Sequence, residues 1–293
     1  MDWTYTQIDR LFRLSLGETA DFSGAKFDGD FTMSLEDAQR RKHEYVAEHI
    51  RLQPGSRVLD LTCGWGPFVR FAMGRGARAT GVTLSRGQAA ACRRNGMDVH
   101  LMDCRTITPD TFGTFDQVVS IGGFEHFCSR EQYAAGEQDA VYDDFFRRVH
   151  ALLPTGGRLF LQTMVFGRNM IAADRIDANA LRGSDEHVLY LLGCQFPGSW
   201  LPYGLEQVER TAAPHFRLLS ASSGRIDYIE TINRWTKRVR RFSARKLLVK
   251  ATLAPIYLTS RQFRDAFASG ISANQVCFQR ELLDHYRIVF EKL

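Results

Sequence analysis

The sequence predicts an α/β fold, a mostly parallel seven-stranded sheet with helices on both faces and an added helical cap. Three observations carry that expectation. Short apolar runs alternate with helix-length segments between residues 57 and 163, a pattern that implies parallel strands joined by crossover helices. A glycine-rich turn, Cys63-Gly-Trp-Gly66, follows the first of those runs. A chain of 293 residues that is 44% hydrophobic and 24% charged is long enough and apolar enough to bury a substantial core.

In order along the chain, Tyr5, Ile8, Phe12 and Leu16 repeat at helical spacing, Gly24 and Gly29 interrupt, and Ser34 caps a new helix with Glu36 and Asp37 in its first turn. Pro54-Gly55 marks a turn. Val58–Leu61 reads as a buried strand and Phe68–Arg75 as its helix; Ala79–Thr83 and Gln88–Arg94 repeat the unit. Val99–Met102 and Val118–Ile121 are short strands, Tyr142–Leu153 is a helix, and the turn at Pro154–Gly157 leads into the strand Arg158–Thr163. Right-handed crossovers place the strand C-termini, and any ligand, along one edge. Beyond Thr163 the pattern loosens into helices and a loop ending at Phe196–Pro202. Phe216–Ser222 is strand-like, and Tyr228, Ile232, Trp235, Val239 and Phe242 form one apolar helix face. Ala273–Gln279 is expected as the last strand, and Leu282, Leu283, Tyr286, Val289 and Phe290 as a tail helix over the substrate mouth or a subunit interface. The organisation expected is a helical substrate-side segment at 1–50 and a main domain at 51–293, with cap inserts at about 164–210 and 225–270.

Several function classes are disfavoured. No apolar stretch is long enough to span a bilayer, and the first residues lack the apolar core of a secretory signal, so a cytoplasmic protein, peripheral at a membrane if anything, is expected. Six cysteines stand without a CxxC pair, and His43, Glu44 and His49 do not make a metal motif, so no metal is expected. The net charge of +5 is uneven: from Thr231 to Arg264 there are ten basic residues and no acid. Arg234, Lys237 and Arg241 recur there at helical spacing, which suits an acidic head group, a carrier protein or an anionic membrane; nucleic acid is not expected.

The candidate site begins at the first turn. Gly64 and Gly66 let backbone approach a ligand, although the spacing is not that of a dinucleotide-binding fingerprint. Asp60 either holds that turn or touches the ligand. Gly81-Val-Thr-Leu-Ser85 ends the second strand, where Thr83 and Gln88 suit ribose hydroxyls. Asp103, beside Cys104, suits an adenine amino group or simply caps a turn. Ser120-Ile-Gly-Gly-Phe-Glu-His126 follows the fourth strand and faces the same crevice.

In this combination the chain resembles the cyclopropane fatty acid and mycolic acid synthase family of S-adenosylmethionine-dependent methyltransferases. The residues that carry the likeness are Arg57–Leu59 with Cys63–Gly66, Gly81–Ser85, Val119–Gly122 with Phe124–His126, and Phe196-Pro-Gly, with Leu11–Leu14, Phe22-Ser and Phe27 as a similar lead-in. The resemblance implies a class I, Rossmann-like methyltransferase fold. It implies adenosylmethionine, spent as adenosylhomocysteine, on Asp60, Thr62, Cys63, Gly64, Gly66, Thr83, Leu84, Gln88, Asp103, Cys104 and Ile121.

The resemblance also implies methyl transfer to a carbon–carbon double bond of an apolar acceptor, an unsaturated acyl chain or an isoprenoid. In the family a bicarbonate held partly by a cysteine and a histidine then takes a proton and closes a cyclopropane ring. The matching positions here are Gly24 and Gln162, which lack those side chains, so methyl transfer without bicarbonate-assisted ring closure is expected. Glu125 and Tyr228 match two other members of that site and are the expected catalytic residues. Phe22, Gly24, Phe124, Gln162 and Trp200 are expected around the acceptor, and His126 is expected to be structural. Cyclopropanation, N- or O-methylation of a small metabolite, and a non-catalytic binding relative are the alternatives.

Overall fold

A computed structural model describes Leu16, residues 20–261, Phe263, Arg264 and residues 272–293. The repeat at Tyr5, Ile8 and Phe12 lies outside the described residues. Seven strands form one sheet: β1 Arg57–Asp60, β2 Arg78–Thr83, β3 Asp98–Leu101, β4 Gln117–Ile121, β5 Arg158–Phe166, β6 Phe216–Ser223 and β7 Leu283–Lys292. Their spatial order is β3-β2-β1-β4-β5-β7-β6. Strands β1 to β5 pair in parallel, and β7 enters antiparallel between β5 and β6. Chain order reverses at β1/β4, the position where open α/β sheets leave a crevice.

The helices that matter are α1 Leu35–His49, α2 Pro67–Gly74, α3 Arg86–Arg94, α4 Gln138–Leu152, α5 Asp185–Gln195, α6 Gly204–Ala212, α7 Arg225–Arg240, α8 Ala244–Thr252, α9 Ala254–Thr259 and α10 Ser272–Gln279. Ser34 caps α1 as its sequence predicts, its side chain accepting from the Asp37 amide at 3.1 Å. The sheet is covered on both faces: Val58, Phe68, Val69, Val119 and Phe160 centre one apolar cluster, and Leu59, Val118, Phe146, Leu161 and Ile288 the other. Burial on both faces is why the strands read as unbroken apolar runs rather than alternating ones.

Two elements differ from the expectation. Ala273–Gln279 lies in a helix, α10, and the last strand comes later, at Leu283–Lys292. The tail expected to be helical is therefore the strand that fills the gap between β5 and β6. Its apolar residues escape alternation because a central strand buries both faces. In α10, Ala273 and Cys277 are buried one helical turn apart. Among the described residues, no helix is long and apolar enough to cross a membrane.

The segment at 20–28 is fastened over the strand ends by buried polar contacts. Arg287 of β7 donates to the Ala25 carbonyl at 2.7 Å and to Asp227 at 3.0 Å. Asp227 in turn accepts from the amides of Phe27 and Asp28 at 3.1 and 3.0 Å. On the other side, the buried Lys42 of α1 reaches Asp21 and the Ser23 hydroxyl, each at 2.6 Å, and His43 Nε2 lies 2.8 Å from Asp21. Burial opposes charge on Asp21, but Lys42 and His43 outweigh it and hold the carboxyl well below its ordinary range. Each buried charge therefore has partners, as burial demands.

Candidate functional site

The first cluster lies at the C-terminal ends of β1, β2 and β3. Asp60 is buried at the end of β1, and its carboxylate accepts from the Thr62 amide at 3.1 Å, so it holds the turn. Burial pushes its pKa up to about 7, against the pull of that amide. The turn closes through the Gly66 amide on the Cys63 carbonyl at 2.7 Å and is tied to β2 by the Cys63 amide on the Val82 carbonyl at 3.0 Å.

The two glycines of the turn serve different ends. Gly64 has φ +53°, and a Cβ built on it meets nothing within 4 Å, so its open side faces free space. Gly66 has φ +75°, and a Cβ there falls 2.7 Å from Met97 Sδ and 3.2 Å from Cys92 Sγ. At Gly66 both the left-handed backbone and the side chains beneath the turn therefore disfavour a side chain. Thr62 is accommodated by a glycine: a Cβ on Gly123 would lie 2.2 Å from Thr62 Cγ2.

At the end of β2, the Thr83 hydroxyl donates to Gln88 Oε1 at 2.7 Å, and the exposed Leu84 lies between β2 and α3. Asp103 takes the turn-capping role after β3: it accepts from the Arg105 amide at 2.9 Å and from the Arg105 guanidinium at 2.6 and 3.0 Å. That hydrogen bonding holds its pKa below the ordinary value. Cys104 beside it is half-buried, with burial pushing its thiol up to about 11. Ile121 closes the row at the end of β4.

The second cluster is assembled from distant segments. Glu125 sits on a short 3₁₀ turn, Phe124–His126, directly after β4 and is buried. The Thr163 hydroxyl donates to its Oε2 at 3.1 Å. Burial pushes Glu125 up to about 7, opposed by its own amide, by Thr163 and by the Met164 amide. Glu125 is one of the residues lining a cavity of about 130 Å³ that is otherwise bounded mainly by apolar side chains, among them Phe166, Leu189, Leu192, Phe196 and Trp200.

Beside this cavity lies a tighter group. Gln162 Nε2 donates to the Gly24 carbonyl at 3.1 Å, so the two positions that depart from the family pattern bond to one another. The remaining Gln162 Oε1 is buried and unpartnered. Tyr228 packs edge-on against His285, their rings 4.8 Å apart, and burial first, then the charges of Glu125 and Asp21, raises its phenol pKa. A Cβ on Gly24 would come within 3.2 Å of both His285 Cε1 and Tyr228 Cγ, so these two rings occupy the room a side chain at 24 would take.

The structure thus gathers Glu125 and Trp200 at one cavity, and Gly24, Gln162 and Tyr228 in the neighbouring group. Phe124 belongs to neither. It is fully buried and stacks on Tyr142 at 4.6 Å within the core, so it supports the Glu125 turn from behind instead of walling an acceptor. Phe22 is half exposed and stacks on Trp235 at 4.9 Å, away from the cavity lining. His126 bonds the Ser199 hydroxyl at 2.9 Å and also lines the cavity. Sequence reasoning missed Thr163 and His285. Thr163 carries no motif signal. His285 is invisible to any reading that makes the tail a helix; the β5–β7 register, which sets it opposite Met164, brings it here.

Comparison with known proteins places this geometry. The profile of the mycolic acid cyclopropane synthetase family matches residues 2–288. Cyclopropane mycolic acid synthase 3 of Mycobacterium tuberculosis is 31% identical over 237 residues, 79% of this chain and 78% of that protein. Hydroxymycolate synthase MmaA4 of the same organism is 30% identical over 236 residues, 79% of this chain and 74% of that protein. The crystal structure of mycolic acid cyclopropane synthase CmaA1, complexed with SAH and CTAB, superposes with a TM-score of 0.75 at 26% identity and covers 98% of this chain and 95% of that one. The chain belongs to the mycolic acid cyclopropane synthetase family and is an S-adenosylmethionine-dependent methyltransferase.

Proposed function

We propose that this enzyme methylates a carbon–carbon double bond of an unsaturated acyl chain lodged against Glu125, and that it does so without a bicarbonate to close a ring. The observation that carries the second half is the Gln162–Gly24 hydrogen bond. One N–H of the Gln162 amide is spent on the Gly24 carbonyl, and Oε1, which has no partner among the described residues, is an acceptor that repels an anion. Position 24 offers no side chain. These residues do not fit a bicarbonate ion.

They do fit the methyl donor. Space stands open over Gly64, a buried acid lies at the end of β1, and a hydroxyl–amide pair lies at the end of β2. In this reading Asp60 and the Cys63–Gly66 turn hold the methionine end, Thr83, Leu84 and Gln88 the ribose, and Cys104 and Ile121 the adenine edge. Asp103 shapes that edge through its turn, and Thr62 and Gly66 keep the turn in place. S-adenosylmethionine supplies an electrophilic methyl group on a sulfonium.

The protein's own contribution is to align the alkene with that methyl and to exclude water. As one alkene carbon takes the methyl, its neighbour becomes cationic. The Glu125 carboxylate faces that charge and accepts a proton from an adjacent carbon, leaving a methylated product that is again an alkene. With a pKa of about 7, Glu125 is available as a carboxylate at neutral pH and close to the value a general base needs. Tyr228 closes the neighbouring wall, and Trp200 lines the acceptor cavity. The segment up to residue 50 and the inserts at about 164–210 and 225–270 serve the acceptor side, and the basic run meets an acidic head group.

Cyclopropanation is the second reading, favoured by the names of the relatives. Product mass alone does not separate the two, since methylated alkene and cyclopropane are isomers. Proton NMR of the product, from turnover in degassed buffer and in buffer with bicarbonate, does. The expected product keeps a vinylic or vinylidene proton, at a rate indifferent to bicarbonate. Upfield cyclopropane resonances together with bicarbonate stimulation overturn the proposal.

A further inference from the structure

Seven of the ten basic residues between Thr231 and Arg264 fall into two sets. One set is consumed internally. Arg234 pairs with Glu230 and donates to the Phe31 carbonyl at 2.6 Å; Arg238 reaches Glu36 at 2.7 Å. The face expected from Arg234, Lys237 and Arg241 therefore does not exist as a unit: Arg234 is tied inward, and α7 ends at Arg240, with Arg241 as its cap. The other set, Lys237, Arg240, Arg241, Arg245 and Lys250, is exposed and makes no ion pair among the described residues.

Helix α8 lies inside-out among that second set. Its buried side chain is Lys246, whose Nζ donates to the Arg238 carbonyl at 2.6 Å and so satisfies an orphan carbonyl at the C-terminal end of α7. The opposite face carries Leu247, Leu248 and Ala251. Leu247 is 61% exposed, Leu248 71%, and Leu258 of the next helix 74%. Phe242, in the turn before α8, is 89% exposed. Lone exposed leucines need no explanation, but four large exposed apolar side chains between Phe242 and Leu258, interspersed with free cations, are of the kind that binds something.

We propose that the α8–α9 segment is a membrane-docking element: its leucines and Phe242 enter the headgroup boundary of an anionic bilayer while the free lysines and arginines hold the acidic headgroups. The charge pattern selects this occupant. Five exposed, unpaired cations in a stretch with no acid call for a continuous negative surface, and protruding aliphatic side chains suit an acyl boundary better than a folded partner. The inference deepens the proposed function and rests on it in one respect, that an enzyme acting on an acyl chain gains by standing where such chains are.

The test is co-sedimentation of the full chain with vesicles. Binding is expected to mixed phosphatidylcholine–phosphatidylglycerol vesicles, weakening with salt, and far less to phosphatidylcholine alone. An exposed cation near an anionic surface contributes about 1 kcal/mol, roughly fivefold, so Arg241→Gln, Arg245→Gln and Lys250→Gln combined should weaken binding on the order of a hundredfold. Leu247→Ser with Leu248→Ser should weaken binding at every salt concentration. All five positions are exposed and far in sequence from the donor turn, so adenosylmethionine affinity and melting temperature should stay at wild-type values. Three results overturn the proposal: wild-type protein that ignores anionic vesicles, variants that bind as well as wild type, or binding through these residues to an acidic acyl carrier protein in place of vesicles. A failure of the methyltransferase reading shows itself separately, as absent turnover in detergent with vesicle binding intact.

Discussion

The donor cluster at β1–β3 and the acceptor cluster around Glu125 differ in how they are put together. Every residue of the first stands at the end of a strand or within a few positions beyond it, close to a local signal such as Cys63–Gly66 or Gly81–Ser85. The second joins residues 24, 125, 162, 228 and 285, which share no local pattern and meet only because β7 inserts beside β5. The first is built by topology, since all five parallel strands must end on one edge. The second is built by packing, which no local pattern announces.

Three experiments break or sharpen this contrast. The largest effect is expected from Glu125→Gln, which keeps shape and removes the carboxylate. Turnover should fall by ~100-fold or more with adenosylmethionine affinity unchanged. Turnover near the wild-type rate would leave Glu125 as a support for its turn, and the acceptor cluster would lose its base.

Next comes the pair of glycines at the donor side. Gly64→Ala should weaken adenosylmethionine binding about tenfold in calorimetry, while costing the apo protein only the roughly 1–2 kcal/mol of a left-handed alanine. Gly66→Val instead drives a side chain into Met97 and Cys92 and should show itself as lost stability, in the range of about 1–3 kcal/mol or more expected of overpacking. Equal loss of affinity in two equally stable variants would put both glycines against the ligand and refute the distinction.

The smallest effect is a shift in a pH profile. If the ionised form of Glu125 is the active one, kcat/KM rises with pH through about 7 and then levels. The Thr163 hydroxyl donates to that carboxylate and favours its charged form, so Thr163→Val should move the rising limb to higher pH by a fraction of a unit. Linkage has the opposite sense for stability. A carboxyl whose folded pKa lies above its unfolded value near 4 stabilises the fold when protonated, and stability declines as pH rises from there to about 7. A limb that stays in place after Thr163→Val assigns it to Asp60, the other acid raised to about 7.

Much of this protein can be read without a structure, and the reason is locality. The strand–turn–helix units from Arg57 to Thr163, the glycine turn and the Glu125 segment each declare themselves within a dozen residues, because a parallel strand buried on both faces must be apolar throughout and the turn after it must be permissive. What the tertiary structure alone decided is what depends on neighbours far along the chain. Leu282, Leu283, Tyr286, Val289 and Phe290 suit a helix face equally well, and only the empty slot between β5 and β6 makes them a strand. Asp103 and Arg234 look available in sequence but are taken by Arg105, Glu230 and the Phe31 carbonyl. Gly66 and Gly64 look equivalent until Met97 and Cys92 are seen beneath one of them. His285 reaches Tyr228 and the vacancy at Gly24 from the far end of the chain. A side chain's local pattern sets its secondary structure, but its free or committed state is set by whichever distant group packing brings within hydrogen-bonding reach.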